Sequence, residues 1–392
     1  MASSTIPDIY ALTPLEKIGP KAYLQYIVSI LKAGYYAASK RFAPLACEAV
    51  PNAEAKQAGI WKLKPIDDQE FEAITLRDLR AAGERFRVCQ IQANFIPGGL
   101  ILGWSILHMF GDGTTFAVWT QIWAEEYQRA QNLDIPNPIQ LPETIFKDRE
   151  LLMKPSGRNA GHLKDHSEYT LLSFTPTGAP LKMASKNHRG QVFYFSPEML
   201  QALKKEAWPD KARASTTQKW ISTNDALSAL LWRTVMAVHF PLETLEGDSV
   251  STFNIAIDGQ SRTNPPVHPQ TLGCFLEYVA LSLPIREILS SMSLADEWTD
   301  DITTLIDKHV VDVDRVVPTA FLDVPGFNCV QSSGANFALY DLDWGHALGN
   351  KIQAVRSPSN GVINGLQVIL PTLPDGGLEV LVGVEELPQP VA

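Results

Sequence analysis

Between Arg87 and Phe95 the apolar residues Cys89, Ile91, Ala93 and Phe95 alternate with Gln90, Gln92 and Asn94, the two-residue period of a half-buried strand. Pro97, Gly98 and Gly99 supply a turn, and Leu100 to Leu107 continues as an apolar run that suits a strand covered on both faces. The pattern therefore predicts a hairpin that leads directly to His108. After Gly113 the period lengthens, and Phe116, Trp119, Trp123 and Tyr127 fall on one face of an amphipathic helix capped by Thr114 or Thr115. This aromatic stripe reads as core packed against a sheet. Upstream, Tyr23 to Phe42 reads as a first helix.

Periodicity fades between about Pro155 and Gly190, a stretch rich in Gly, Pro, Ser, Lys and His that reads as a crossover between domains. A strand at Val192 to Phe195 then precedes a helix begun by Ser196, with Pro197 in its first turn. Ser222 and Asp225 have capping-box spacing ahead of Leu227, Leu230, Leu231, Val235 and Val238, so a second helix runs to about His239. Phe253, Ile255 and Ile257 alternate as a strand, and Leu366 to Leu370 with Leu378 to Val384 form a hairpin around Asp375, Gly376 and Gly377. Strands and helices interleave in both halves, which predicts an α/β class with mixed sheets in two layers. The expected division is an N-terminal domain over 1–170, a crossover loop over 171–190 and a C-terminal domain over 191–392.

Composition agrees with two domains. The 392 residues exceed what one core serves, and 45% hydrophobic with 19% charged residues is an ordinary globular balance. A formal charge of −10 argues against nucleic acid as a partner, because that affinity depends on neutralising phosphates with Lys and Arg. A phosphorylated co-substrate needs only a local cluster of cations. Lys182, Lys186, His188 and Arg189 form one such run, read chiefly as solvated surface. Cys47, Cys89, Cys274 and Cys329 are widely spaced, which fits buried thiols better than a zinc site or a disulfide framework. Met1 to Pro7 lacks the basic and apolar regions of a signal peptide. The apolar window Phe95 to Phe110 is broken by Pro97, Gly98, Gly99 and His108. The expectation is a cytoplasmic protein without a membrane partner.

His108 ends a strand just before Met109, Phe110, Gly111, Asp112 and Gly113, so a titratable imidazole sits at a sheet edge ahead of a glycine turn. A neutral imidazole there can accept a proton from an attacking hydroxyl or amine. Asp112 either holds the ring or anchors the local loop. A metal reading fails for want of a third ligand nearby, so no metal site is expected. GxSxG, GxGxxG after a strand, GxxxxGK[ST] and HExxH are all absent, which removes the commonest serine hydrolase, dinucleotide, P-loop and zincin readings.

Several segments together resemble the BAHD acyltransferases, whose signature is HxxxDG near the middle and DFGWG toward the C-terminus. Ala11 to Leu15 with Tyr23 looks like the family's start, and Gly98 to Leu102 leads into His108 and Asp112 as the family does. Ser222 to Leu227, with Trp232 and Arg233, is similar to the first helix of its second domain. Asp258 to Arg262, then Pro265, Pro266, Leu272 and Gly273, resembles its DGRSR, proline and glycine segment. Tyr340 to Gly345 looks like the DFGWG region, and Leu378 to Val380 like the closing strand. The chain departs from the pattern in that His346 and Ala347 follow Asp343, Trp344 and Gly345. Gln260 stands where the family's arginine pairs with the motif aspartate, and Cys274 where it often has Asn. These departures suggest a divergent branch similar to fungal secondary-metabolism members.

The resemblance implies two chloramphenicol-acetyltransferase-like domains, each a mixed sheet with helices, and a channel between them. It implies a monomer that uses acyl-CoA as co-substrate, with no tightly bound cofactor, and a small-molecule acceptor. His108 would be the catalytic base of a direct transfer through a tetrahedral intermediate. Asp112 and Gly113, and Asp343, Trp344 and Gly345 with Arg262, would shape the fold. Ser222, Thr223 and Asn224, at a helix N-terminus, would face cofactor phosphates or simply cap the helix. The resemblance leaves open a condensation-domain-like enzyme using carrier-bound thioesters, and a relative that serves as a cyclase or binder.

Overall fold

The computed structural model describes residues 23–27, 38, 41, 47–65, 86–96, 99–141, 149, 166–176, 188–209, 219–243, 245, 247–262, 266–290, 312–322, 327–357 and 362–385. In the first half the strands are β1 (Tyr23–Ile27), β2 (Cys47–Pro51), β3 (Trp61–Pro65), β4 (Phe86–Arg87), β5 (Cys89–Ile96), β6 (Gly99–Leu107) and β7 (Tyr169–Leu171). The second half adds β8 (His188–Phe195), β9 (Val250–Asp258), β10 (Leu276–Pro284), β11 (Val316–Pro318), β12 (Cys329–Ser333), β13 (Leu366–Ile369) and β14 (Leu378–Glu385). Four helices accompany them among the described residues: α1 (Gly113–Ala130), α2 (Pro197–Glu206), α3 (Thr223–His239) and α4 (Ile285–Ser290).

The predicted hairpin is present. Strands β5 and β6 pair antiparallel from Ile96 opposite Gly99 to Cys89 opposite Ile106; Pro97 and Gly98, which join them, lie outside the described residues. On the other side of β6 lies β1, with Tyr23 opposite Leu107 and Ile27 opposite Gly103. The expected helix over Tyr23 to Phe42 is therefore corrected at its start. Residues 23–27 satisfy their backbone groups on the edge of β6, and tertiary pairing overrides local helical preference. Within the rest of that stretch only Ala38 and Arg41 are described, and both are helical.

Helix α1 covers this sheet with its aromatic stripe. The rings of Trp104 and Phe116 stack at 4.0 Å, and Trp119 meets Trp104 edge-on at 4.1 Å. Burial of each such side chain stabilises the fold by about 1.5–3 kcal/mol. Leu339, Tyr340, Trp344, Ile352 and Val355 join this same core from the second half of the chain, and Trp344 meets Trp123 at 6.0 Å. The C-terminal segment thus crosses over to complete the core laid down by the β5–β6 hairpin.

The second half is organised on a six-stranded mixed sheet in the order β10-β9-β12-β13-β14-β8. Strand β12 runs parallel to both β9 and β13, and the remaining pairs are antiparallel. Helix α3 buries Leu227, Leu231, Trp232, Val235 and Met236, in one core with Phe253, Cys329 and Val380 of the sheet. The Ser222–Asp225 capping box that starts it is formed in both directions, at 3.0 and 2.6 Å. Ser196 caps α2 with Pro197 in the first turn. Within the expected crossover, Tyr169–Leu171 pairs as a strand with β11. Lys182 and Lys186 lie outside the described residues, while His188 and Arg189 begin β8. All four cysteines are buried. Among the described residues no helix is long and apolar enough to cross a membrane, and no group of three or more His, Cys, Asp or Glu could hold a metal ion.

Candidate active site

Strand β6 ends at Leu107, and the chain turns at once into a short 3-10 turn over His108–Phe110. The turn buries Met109 and Phe110, which anchors the segment and leaves the partly buried imidazole of His108 where the strand stops. Burial pushes His108 down to about 4, against a smaller opposing effect from a hydrogen bond to its own backbone. The ring is therefore neutral at neutral pH and able to accept a proton.

Asp112 carries out the capping assigned from the sequence to Thr114 or Thr115. Its Oδ1 accepts the Thr115 backbone N–H at 2.9 Å, making Asp112 the N-cap of α1. A carboxylate one residue before the helix reaches this donor with ideal N-cap spacing, and the Thr115 hydroxyl is left for another task. It donates to the Gly273 carbonyl at 2.6 Å, and its oxygen lies 2.8 Å from the Gly273 N–H.

The second oxygen of Asp112 accepts the Phe275 N–H at 2.8 Å, and the Asp112 N–H donates to Gly273 O at 3.2 Å. Arg149 adds a bond from Nη1 to Leu272 O at 2.8 Å. Burial pushes Asp112 up to about 6 although two backbone N–H groups hold it down, and the nearby Asp258 carboxylate adds to the rise. The result is a clamp. Residues 272–275, entering β10 from the second half, are fixed against the loop that follows His108.

The clamp places Cys274 beside the histidine, with Sγ 3.8 Å from His108 Nδ1. The sequence offered Cys274 only as a buried thiol and as a departure from the family pattern. No local signal could pair it with a residue 166 positions away. Gly113 is hemmed in by Phe337, whose Cζ lies 2.7 Å from where a Cβ would stand.

The DWG segment docks on the far end of α1. Gln128 Nε2 donates to Asp343 O at 2.6 Å, and Gln131 bridges Trp344 O at 2.8 Å and the Ala347 N–H at 3.0 Å. Asp343 is exposed and its Oδ1 accepts the Gly345 N–H at 2.8 Å. Gly345 has φ +73°, and a Cβ there would lie 2.5 Å from the Gln131 amide. Gln260 is buried and donates from Nε2 to Thr271 O at 2.6 Å, behind the clamped segment. The backbone of Arg262 lies in the 3-10 turn after β9, while its side chain lies outside the described residues. Arg356 pairs with both oxygens of Glu379. Ser222, Thr223 and Asn224 stand at the N-terminus of α3, all partly buried, with Ser222 engaged in the capping box. His108, Asp112 and Gly113 therefore share one site. The structure places the DWG segment at the other end of α1 and Ser222–Asn224 on a separate element.

Comparison with known proteins agrees with this architecture. The chain is 26% identical to the enoyl-CoA isomerase/hydratase claC of Penicillium crustosum over 77% of its length, but spans only 35% of that protein. It is likewise 26% identical to eremophilane O-acetyltransferase prx11 of Penicillium rubens, over 81% of this chain and 72% of the relative. The crystal structure of Fusarium graminearum TRI101 complexed with coenzyme A and T-2 mycotoxin superposes with a TM-score of 0.75. It covers 96% of this chain and 94% of that one at 18% identity, which establishes a shared fold. The model of the Transferase family, the BAHD acyltransferases, matches residues 52–384, and the chain belongs to that family.

Proposed function

We propose that the protein transfers an acyl group, acetyl or another short acyl, from coenzyme A to a hydroxyl or amine of a small-molecule secondary metabolite. The observation that carries this reading is the His108 imidazole. It is held neutral at the end of β6, with its following loop clamped to the strand that enters from the other half of the chain. His108 takes the acceptor's proton as the oxygen or nitrogen attacks the thioester carbonyl. Negative charge developing on the tetrahedral oxyanion then favours the imidazolium by attraction. Collapse expels the coenzyme A thiolate. The imidazolium, acidic because burial disfavours its charge, returns the proton to that sulfur, a stronger base with a reference thiol pKa of about 8.5. The enzyme ends unchanged, with no acyl-enzyme and no metal in the path.

The other residues support this chemistry. Asp112 and Gly113 shape the loop behind His108. Asp343, Trp344 and Gly345, with Arg262, brace the fold. Ser222, Thr223 and Asn224 present a helix N-terminus to the phosphates of the co-substrate, where free backbone N–H groups and the helix dipole favour anions. The two halves form two domains with the channel between them, and the protein works as a cytoplasmic monomer. That related proteins carry the names eremophilane O-acetyltransferase and trichothecene 3-O-acetyltransferase supports acetyl as the group moved and a hydroxyl as one acceptor.

The test is to incubate the purified protein with a panel of acyl-CoA donors and candidate alcohols and amines while following free thiol. Acceptor-dependent thiol release is the expected result. Release only from carrier-bound thioesters, or none from any donor, would overturn the proposal.

A further inference from the structure

The thiol of Cys274 stands in direct contact with the imidazole on which the proposed reaction depends, and nothing in the proposed chemistry uses it. Sγ lies 3.8 Å from His108 Nδ1, and the residue is 1% exposed. Its place does not depend on the thiol. The backbone on either side is pinned, with Gly273 bonded to Thr115 and Asp112, and Phe275 to Asp112. Whatever side chain stands at 274 is thus delivered against the Nδ1 edge of the ring. Among the described residues, Cys274 is the only side chain within hydrogen-bonding reach of a nitrogen of His108.

We infer that Cys274 is a positioning residue for His108: its sulfur closes the Nδ1 side of the imidazole, holds the ring in one orientation and reserves Nε2 for the acceptor's proton. The inference rests on the acyl-transfer reading above. A thiol suits this role because it behaves as a small apolar group with only weak hydrogen-bonding capacity. It can weakly accept the Nδ1–H that the neutral ring must carry if Nε2 is to be the base, without the strong acceptor that would stabilise the imidazolium. It also excludes water from the same edge, consistent with a ring that burial keeps neutral. An asparagine at this position would offer a strong carbonyl acceptor instead. The chain's departure from the family pattern at 274 therefore has a defined consequence, a base tuned toward the neutral form.

Three variants of the 392-residue chain test this: Cys274→Ala, which opens the space, Cys274→Ser, which keeps a small side chain there, and Cys274→Asn. Thermal melts confirm folding, and each variant is studied by steady-state kinetics and by NMR titration of the histidines, with His108 assigned from the signal lost in His108→Gln. In Cys274→Ala, kcat is expected to fall about ten- to a hundredfold, with KM for acyl-CoA within about twofold. The acid limb of kcat/KM and the His108 titration should both move to higher pH as water reaches Nδ1. Cys274→Ser should retain kcat within about threefold of the parent. Cys274→Asn should raise the His108 titration further than Ala does. A His108 titration that does not move in Cys274→Ala and Cys274→Asn would overturn the inference, as would an unchanged kcat in Cys274→Ala. So would an acyl group found on Cys274 by intact mass after mixing with acyl-CoA alone, which would make the thiol a nucleophile. Should the parent protein transfer nothing, the acyl-transfer reading fails by itself. The histidine titration still decides whether Cys274 controls the state of His108.

Discussion

The Asp112 carboxylate accepts the backbone N–H of Phe275 at 2.8 Å, joining the loop behind His108 to a residue 163 positions further along the chain, immediately before β10. The other oxygen caps α1 through Thr115. One buried side chain therefore orients the helix, the loop and the start of β10 together.

Asp112→Ala is expected to lower stability by about 2–4 kcal/mol, combining a lost N-cap with a buried N–H left unpaired. Urea unfolding followed by circular dichroism measures it, and activity should decline with it because His108 loses its fixed backdrop.

The lowered value of His108 makes stability depend on pH. In the unfolded chain the group titrates near its ordinary 6.5 and in the folded protein near 4, so between these values the unfolded state binds more protons. Stability from this group is complete above pH 6.5 and is lost as the pH falls toward 4, by at most roughly 3 kcal/mol. Asp112, raised to about 6, acts in the opposite sense over its own window, being relatively stabilising at low pH and less so as the pH rises through 6. His108→Gln removes the first contribution. Its unfolding midpoint in urea should therefore fall less between pH 6.5 and 4.5 than that of the parent protein.

Gly345→Ala places a Cβ against the Gln131 amide at a residue with φ +73°. Left-handed backbone and close contact together should cost about 1–3 kcal/mol, read as a lower melting temperature. Gln131→Ala relieves the contact but leaves Trp344 O and the Ala347 N–H without this partner. The double variant should therefore recover part of the loss relative to Gly345→Ala.

Thr223→Asp adds a negative charge at the N-terminus of α3, where acidic residues favour the helix itself. If that terminus faces the phosphates of coenzyme A, KM for acyl-CoA should rise about two- to fivefold while stability holds or improves. An unchanged KM would return Ser222, Thr223 and Asn224 to capping alone.

Much of this arrangement is legible in the residues. The alternation from Cys89 to Phe95, the aromatic stripe of α1 and the Ser222–Asp225 box are local signals, and each element formed where its period placed it. Tyr23–Ile27 was not legible as a strand because its partners in β6 lie 76 to 84 residues away, from Ile27 opposite Gly103 to Tyr23 opposite Leu107, and supply the hydrogen bonds that decide its conformation. Asp112 as N-cap was masked by two threonines of similar capping power. The packing of Leu339, Tyr340 and Trp344 into the core of the first half, and the order of the six-stranded sheet, depend on long-range pairings that no local period encodes. Most of the site was within reach, since His108, Asp112 and Gly113 form one motif. Cys274 was not, because its meaning arises only when the Gly273–Phe275 segment is folded against Asp112 and Thr115.

The most direct test of the account is acceptor-dependent thiol release from acyl-CoA by His108→Ala, compared with the parent protein at equal folded concentration. Removing the base should lower kcat/KM by about 10²–10⁴-fold with the circular dichroism spectrum unchanged. Release by a folded His108→Ala variant within tenfold of the parent would contradict the assignment of His108 as the base.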